Sequence, residues 1–305
     1  QVYHFYNRLF FAGYWSPKFW IPGFRTVAGD EAMLSADCLV INVPSVVVTN
    51  HVEQLFNLRK LAPARQIWVA ESLECEVNYP ELADAEFMAL FDMELTYRQS
   101  SEIWQPYIPR NLNDTYQDVA IKSGKKLCCA FVSSGINKSG RRAYMKELMR
   151  NLKVHSFGKF KRNRWLWRDE GEETKLKVMS NYNYTLAFEN SIAPDYVTEK
   201  FFQPLMTGTV PIYLGAPNIE EFAPGDNCFI NVADFDGPAD LAAFIRQADP
   251  AQFQVWRTQN LREGFLQKLA RIKKPWQQAL SEMLIARMSD NTTMFGIENR
   301  KSEAS

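Results

Sequence analysis

The 305-residue sequence has no hydrophobic run near the 18 or so consecutive apolar residues that cross a bilayer. It has no excess of charge either. Its 35 Lys and Arg balance 35 Asp and Glu, and no basic run exceeds a few residues. Nucleic acid is therefore not an expected partner, because neutralising phosphates requires a basic face. The five cysteines, Cys38, Cys75, Cys128, Cys129 and Cys228, are odd in number and fit no zinc spacing. A reduced, intracellular setting is the simpler expectation from them. No signal-peptide pattern opens the chain, which begins at Gln1 rather than Met. There is no internal repeat and no low-complexity segment, only a polar tail after about Arg287. The glycine-rich G-x-G-x-x-G pattern is missing, so a dinucleotide cofactor is not indicated.

What is present describes an ordinary globular protein, 46% apolar and 23% charged, and too long for one typical core. Aromatics reach 13%. They suit sugar or nucleotide rings, but core packing is their first reading. Asn-x-Ser/Thr acceptors occur at Asn113, Asn137, Asn183 and Asn291, and carry meaning only in a secretory setting. Short apolar runs alternate with helical periodicity, which predicts α/β layers on largely parallel sheets.

Strands are expected at Cys38–Val43, Gln66–Ala70 and Phe91–Tyr97, and then a proline-rich crossover, PYIPRNLND, from Pro106 to Asp114. After it the pattern predicts strands at Leu127–Val132, Lys153–Ser156, Tyr184–Phe188, Val210–Leu214 and Cys228–Val232. Helices are expected at Arg141–Leu152, Tyr196–Met206, Pro238–Gln247, Gln252–Leu269 and Trp276–Arg287. The division that follows is residues 1–118 and residues 119–305. A doubly wound sheet binds ligands outside the carboxyl ends of its strands. The loops after Val132, Phe188 and Leu214 should therefore lie along one edge.

The stretch YTLAFENSIAPDYVTEKFFQPLMTGTVPIYLGAP has more organisation than packing requires. A strand delivers Glu189 and Asn190 to its tip, and a loop leads to Asp195 through Lys200 at a helix start. Carboxylates such as Asp195 and Glu199 suit the first turn of a helix. Lys200 does not, unless it meets an anion drawn to the helix N-terminus. Both readings, solvated helix start and diphosphate contact, stay open on the residues alone. Arg141, beside Arg142, reads by itself as a solvated helix residue.

These residues resemble the signature of the α-1,3/4-fucosyltransferases, glycosyltransferase family 10, which runs approximately F-E-N-x-x-x-x-D-Y-V-T-E-K, a helix, then G-x-V-P-[IV]-Y-x-G-x-P. Phe188, Glu189, Asn190, Asp195 to Lys200, Gly208, Val210, Pro211, Ile212, Tyr213, Gly215 and Pro217 match it. KLCCAFVSSGINKSGRRAYMKEL and FDMELTYRQSSEIWQPY are similar to further family segments, and the similarity covers about residues 65 to 235. The resemblance implies a GT-B fold, two Rossmann-like domains facing across a central cleft. The N-terminal domain would serve the acceptor and the C-terminal domain would bind GDP-fucose. It implies inverting transfer of L-fucose to a hydroxyl, O3 of GlcNAc, on a glycan acceptor of Lewis or glycoprotein type. It places Arg141 and Lys200 on the diphosphate, Glu199 on the ribose or fucose, Asn190 and Tyr196 near the fucose-phosphate, and Ser133 near the nucleotide.

Direct displacement requires a carboxylate base for the acceptor hydroxyl. The family places a Glu after a Trp-containing strand, and the candidates here are Glu71, Glu74 and Glu76. Spacing to Phe91 points to Glu74, with Glu71 second. All three could equally be solvated loop carboxylates. No D-x-D-like pair sits at a strand end, so no fixed metal or other cofactor is expected. Two rival readings remain: a GT-B transferase with another nucleotide-sugar donor, and a catalytically silent carbohydrate-binding relative. The family's bacterial heptads and the animal C-terminal cysteine pairs are both missing. The expected setting is a bacterial enzyme, cytoplasmic or peripheral to a membrane. The alternative is a Golgi-lumenal catalytic domain freed of its anchor.

Overall fold

The computed structural model describes residues 2–6, 21–27, 33, 35–112, 126–166 and 168–288. The chain divides into two compact units, Gln1–Gln105 with Lys274–Ser305, and Pro106–Lys273.

The first unit is built on a six-stranded sheet. Its strands are β1 (Val2–Tyr6), β2 (Arg25–Val27), β3 (Cys38–Asn42), β4 (Ile67–Ser72), β5 (Met93–Thr96) and β6 (Ile103–Trp104). Their order is β2-β1-β3-β4-β5-β6 and every pairing is parallel. Strands buried on both faces read as continuous apolar runs, which is why CLVIN and IWVA carry no polar alternation. One face, with Leu39, Ile41, Trp68 and Ala70, packs on helices α1 (Val43–Val48), α2 (Val52–Leu61) and α3 (Ala85–Met88). The other face, with Cys38, Val40, Val69 and Leu95, receives Trp276, Leu280 and Leu284 from a helical segment at 276–288. Burying each such side chain contributes roughly 1.5–3 kcal/mol.

The second unit has a five-stranded sheet of β7 (Lys126–Ala130), β8 (Val154–Ser156), β9 (Tyr182–Phe188), β10 (Val210–Leu214) and β11 (Ile230–Asn231). The order is β11-β10-β9-β7-β8, again parallel throughout. Around it lie α4 (Arg141–Asn151), α5 (Glu172–Met179), α6 (Glu199–Met206), α7 (Pro238–Gln247) and α8 (Glu263–Ile272). In each unit the second strand flanks the first on one side and the third on the other. This is the doubly wound order whose ligand crevice opens between first and third strands. In the second unit that switch point lies between β7 and β9. The two parallel doubly wound units agree with the α/β class and the two Rossmann-like domains that the resemblance implied.

Three local expectations differ. The expected boundary at 118/119 gave everything after it to the second unit, whereas Lys274–Ser305 belong with the first. The apolar stripe of 276–288 has its hydrophobic partner on the first sheet. The span Gln252–Leu269 is not one helix. It forms 3₁₀ turns at Pro250–Phe253 and Val255–Thr258 before α8 begins at Glu263. Arg257 turns inward there to the carbonyl of Leu205, and Arg262 N bonds Pro224 O at 2.9 Å, which no continuous helix would allow. Finally, α6 begins at Glu199, not Tyr196. Asp195 sits at φ 64° and exchanges two hydrogen bonds with Asn218, so it closes a loop instead of capping a helix. The sequons Asn113 and Asn291 lie outside the described residues. No helix among the described residues is long and apolar enough to cross a membrane.

Candidate active site

The second unit gathers the sequence-expected donor residues at the carboxyl ends of its strands. Ser139 N bonds Asn190 O at 3.0 Å, and Glu189 N bonds Leu214 O at 2.8 Å, so the loops after β7, β9 and β10 meet. At their junction stands Glu189, fully buried. Its carboxylate accepts from Thr198 N at 2.8 Å and from the Thr198 hydroxyl at 2.8–2.9 Å. Thr198 is the N-cap of α6. Its hydroxyl also accepts from Lys200 Nζ at 2.8 Å, and Lys200 Nζ lies 3.2 Å from Glu189 and 3.4 Å from Glu199. A cap hydroxyl thus ties the helix start to a buried acid and a cation in one network.

Burial pushes the pKa of Glu189 up, and Lys200 only partly offsets this. Burial also works against charge on Lys200 and Glu199. Their mutual attraction prevails: Lys200 is raised, with Glu189 as its strongest supporter, and Glu199 is lowered by Lys200 and Lys175. Lys175, on α5, stands 3.9 Å from Glu199 and is held below the usual lysine range by burial. Arg141, at the start of α4, is 1% exposed. Its guanidinium donates to Phe188 O at 3.0 Å and Ile136 O at 3.1 Å, while its Nε is buried without a partner. Three cations, Arg141, Lys175 and Lys200, thus face two carboxylates, Glu189 and Glu199. The balance of +1 favours an anion at a helix N-terminus.

The remaining donor candidates are close by. Asn190 is 6% exposed and its Oδ1 is buried without a partner. Tyr196 is buried edge-to-face with Tyr107, centroids 6.4 Å apart. Ser133 is exposed at the tip beyond β7, its hydroxyl accepting from Lys159 N at 3.2 Å. Gly215 is fixed by space. A Cβ there would lie 2.4 Å from the Tyr213 hydroxyl and 2.6 Å from Glu189 Cγ. The sequence offered Glu189 only as part of the pattern. Its role, and that of Lys175, depends on partners that folding supplies, and a buried acid among apolar residues is the one signal that could have raised it.

In the first unit the three candidate bases have separate environments. Glu71, the penultimate residue of β4, is 1% exposed and accepts from Asn42 Nδ2 at 2.5 Å. Asn42 is the residue opposite it on β3. Asn42 also caps α1, accepting from Ser45 N at 2.9 Å, which fixes the direction of its amide. Burial raises the pKa of Glu71 to about 7, the Asn42 bond only partly opposing it. Glu74 is half-buried, accepts from Asn78 Nδ2 at 2.8 Å, and lines a crevice with Ser72, Thr96 and Arg98. Glu76 is committed elsewhere: Tyr97 donates to it at 2.6 Å and Arg98 pairs with it at 2.9 Å, and its pKa is lowered despite burial. Among the described residues no three His, Cys, Asp or Glu side chains gather as metal ligands.

The C-terminal model of glycosyltransferase family 10 (fucosyltransferase) matches residues 121–279. Curated relatives include 4-galactosyl-N-acetylglucosaminide 3-alpha-L-fucosyltransferase 9 of Rattus norvegicus and of Homo sapiens. Each is 29% identical over 244 residues, covering 78% of this chain and 66% of the relative. The chain thus matches 66% of those relatives' length. Among solved structures, an alpha1,3-fucosyltransferase with GDP-fucose aligns at TM-score 0.55 and 16% identity, over 82% of this chain and 80% of that one. An alpha1,3-fucosyltransferase without a named ligand aligns at TM-score 0.55 and 15% identity, over 89% and 88%. At these identities the structures speak for the fold.

Proposed function

The chain belongs to glycosyltransferase family 10, the fucosyltransferases, and from that premise we propose that it moves L-fucose from GDP-fucose to O3 of a GlcNAc-containing glycan, with inversion. The observation that carries the donor half is the linkage of Glu189, Thr198, Lys200 and Glu199 at the start of α6, with Arg141 beside it. The names of the curated relatives support both the sugar and the linkage.

In the reaction the acceptor oxygen attacks C1 of fucose, and the C1–O bond breaks with its electron pair going to GDP. The diphosphate gains negative charge as it leaves. Arg141 and Lys200 are assigned to that charge, in a buried setting where each is worth more than in water. Glu189 keeps Lys200 protonated and aimed, and Lys175 does the converse for Glu199, which is assigned to a donor sugar hydroxyl. Asn190 and Tyr196 are assigned to the fucose-phosphate region and Ser133 to the nucleotide side. The role a fixed metal would fill falls to these cations.

The acceptor proton needs a base. Glu71 is the better candidate than Glu74, because its pKa of about 7 matches the working pH of a general base. It also stands at the carboxyl end of a strand, where doubly wound sheets do their chemistry. Glu74 remains the comparison variant.

The test is GDP release on incubation with GDP-fucose and N-acetyllactosamine, chitobiose-core or Lewis-precursor acceptors, beside calorimetric binding of GDP-fucose. Binding and release support the reading. Binding without release from any acceptor leaves a silent relative, and a preference for another nucleotide sugar leaves the other-donor reading.

A further inference from the structure

The net-neutral sequence contains a local cluster of cations. The loop that follows β8 carries Lys159, Lys161, Arg162 and Arg164, and ends at Trp165, which is 74% exposed. This loop is held firmly. Lys159 N bonds the Ser133 hydroxyl at 3.2 Å and Phe160 N bonds Val132 O at 2.9 Å. Asn163 then bonds the outer edge of β8 twice, accepting from Ser156 N at 2.8 Å and donating to Val154 O at 2.9 Å. The chain therefore turns back along the edge strand and lays Arg164 over it. Arg164 donates to His155 Nε2 at 3.1 Å, which leaves the His155 Nδ1 proton for the Tyr182 hydroxyl at 2.9 Å. Lys126 sits 5.8 Å from the Tyr182 ring centre. Burial and the fields of Arg164, Lys126 and Lys153 together depress the His155 pKa, so these three cations share one neighbourhood.

Among the described residues, none of Lys126, Lys153, Lys159, Lys161, Arg162 and Arg164 has a carboxylate partner. Some cations elsewhere are paired, Arg59 with Asp92, Arg98 with Glu76 and Arg262 with Asp226, so what marks this loop is the local density of its cations. Unpaired cations gathered on one face are an electrostatic footprint, whose complement is a surface of fixed negative charge. The exposed Trp165 selects among such surfaces. An indole at the rim of a cationic face matches the interfacial zone of a bilayer, where Trp is enriched and its ring settles at headgroup level. Strand-tracking nucleic-acid sites instead carry a series of stacking rings.

We propose that this face, Trp165 with Lys126, Lys153 and the cations of the 159–164 loop, docks the protein on an anionic phospholipid surface. Each cation near such a surface is worth about 1 kcal/mol, or roughly five-fold in partitioning.

The experiment is co-sedimentation of the whole protein with vesicles of phosphatidylcholine alone, or with added phosphatidylglycerol. The proposal expects binding only to the anionic vesicles, weakening as salt is raised. Lys161→Ala with Arg162→Ala should lower partitioning about 25-fold, at five-fold for each charge. Trp165→Phe should remove the component of tryptophan emission that anionic vesicles quench when they carry brominated acyl chains. GDP binding reports that both variants are folded. Equal binding to neutral vesicles, binding unchanged in the double variant, or no vesicle binding overturns the proposal. So does retention on a single-stranded oligonucleotide without vesicle binding.

Discussion

Replacing Glu71 by Gln separates the base from every structural role the side chain plays. The amide keeps the shape and still accepts the hydrogen bond from Asn42 Nδ2. What it loses is the capacity to take a proton. Turnover should fall by about 10²–10⁴, the range for removing a general base. GDP-fucose binding should change little, because the residues proposed for the donor lie in the other unit. Stability should move the opposite way. The folded pKa of Glu71 is raised from 4.5 to about 7. The fold therefore favours its protonated form, and that contribution, present below 4.5, is lost as pH rises through 7. A difference of that size is on the order of 3 kcal/mol. The Gln variant is spared it, so its advantage in thermal midpoint over the wild type should grow between about pH 5 and about pH 9. The assay is paired: single-turnover rate at saturating donor, and melting curves at the two pH values. Glu74→Gln should stay within a few-fold of wild type in rate. The reasoning is refuted if Glu74→Gln is the variant that abolishes turnover, or if the Glu71→Gln melting difference is the same at both pH values.

Further outcomes follow from neighbouring contacts. Asn42→Ala removes the one hydrogen bond that lowers the Glu71 pKa, so the acid limb of the rate–pH profile should move to higher pH; an unmoved limb contradicts this coupling. Lys200→Ala leaves Glu189 buried without its cation. It should weaken GDP binding and destabilise by about 3–5 kcal/mol, with Glu189→Gln restoring stability but not affinity; calorimetry and denaturant unfolding check both arms. Gly215→Ala forces a Cβ against Tyr213 and Glu189. It should cut GDP affinity while leaving helix content unchanged by circular dichroism, and unchanged affinity would count against it.

The clustering of the donor-side candidates was legible because most of them are contiguous. Between Phe188 and Gly215 the chain supplies strand tip, helix cap and tight glycine within one local stretch, and the family resemblance rests on that stretch. Arg141 was placed by resemblance, and its head is buried against the same strand tip. Glu189 and Lys175 were not singled out, because a buried acid and its cations acquire meaning only from partners that folding brings together. Among Glu71, Glu74 and Glu76 the sequence had only spacing to choose by. Spacing favoured Glu74, but desolvation at a strand end, which spacing cannot express, distinguishes Glu71. The fold class followed from alternating β and α patterns. The return of 276–288 to the first sheet did not, since an apolar stripe announces burial without naming the surface that buries it. The stretch Gln252–Leu269 read as one helix because its periodicity ignores the inward turn of Arg257. Net charge summed over the whole chain hid the unpaired cations around β8.

The most direct test of the central claim is GDP release measured with GDP-fucose and N-acetyllactosamine, followed by nuclear magnetic resonance of the product. The account predicts GDP release dependent on acceptor and an α-linked fucose on O3 of GlcNAc, the anomer opposite to that of the donor. Retention of the donor's configuration, or no release across the acceptor panel despite bound GDP-fucose, would contradict it.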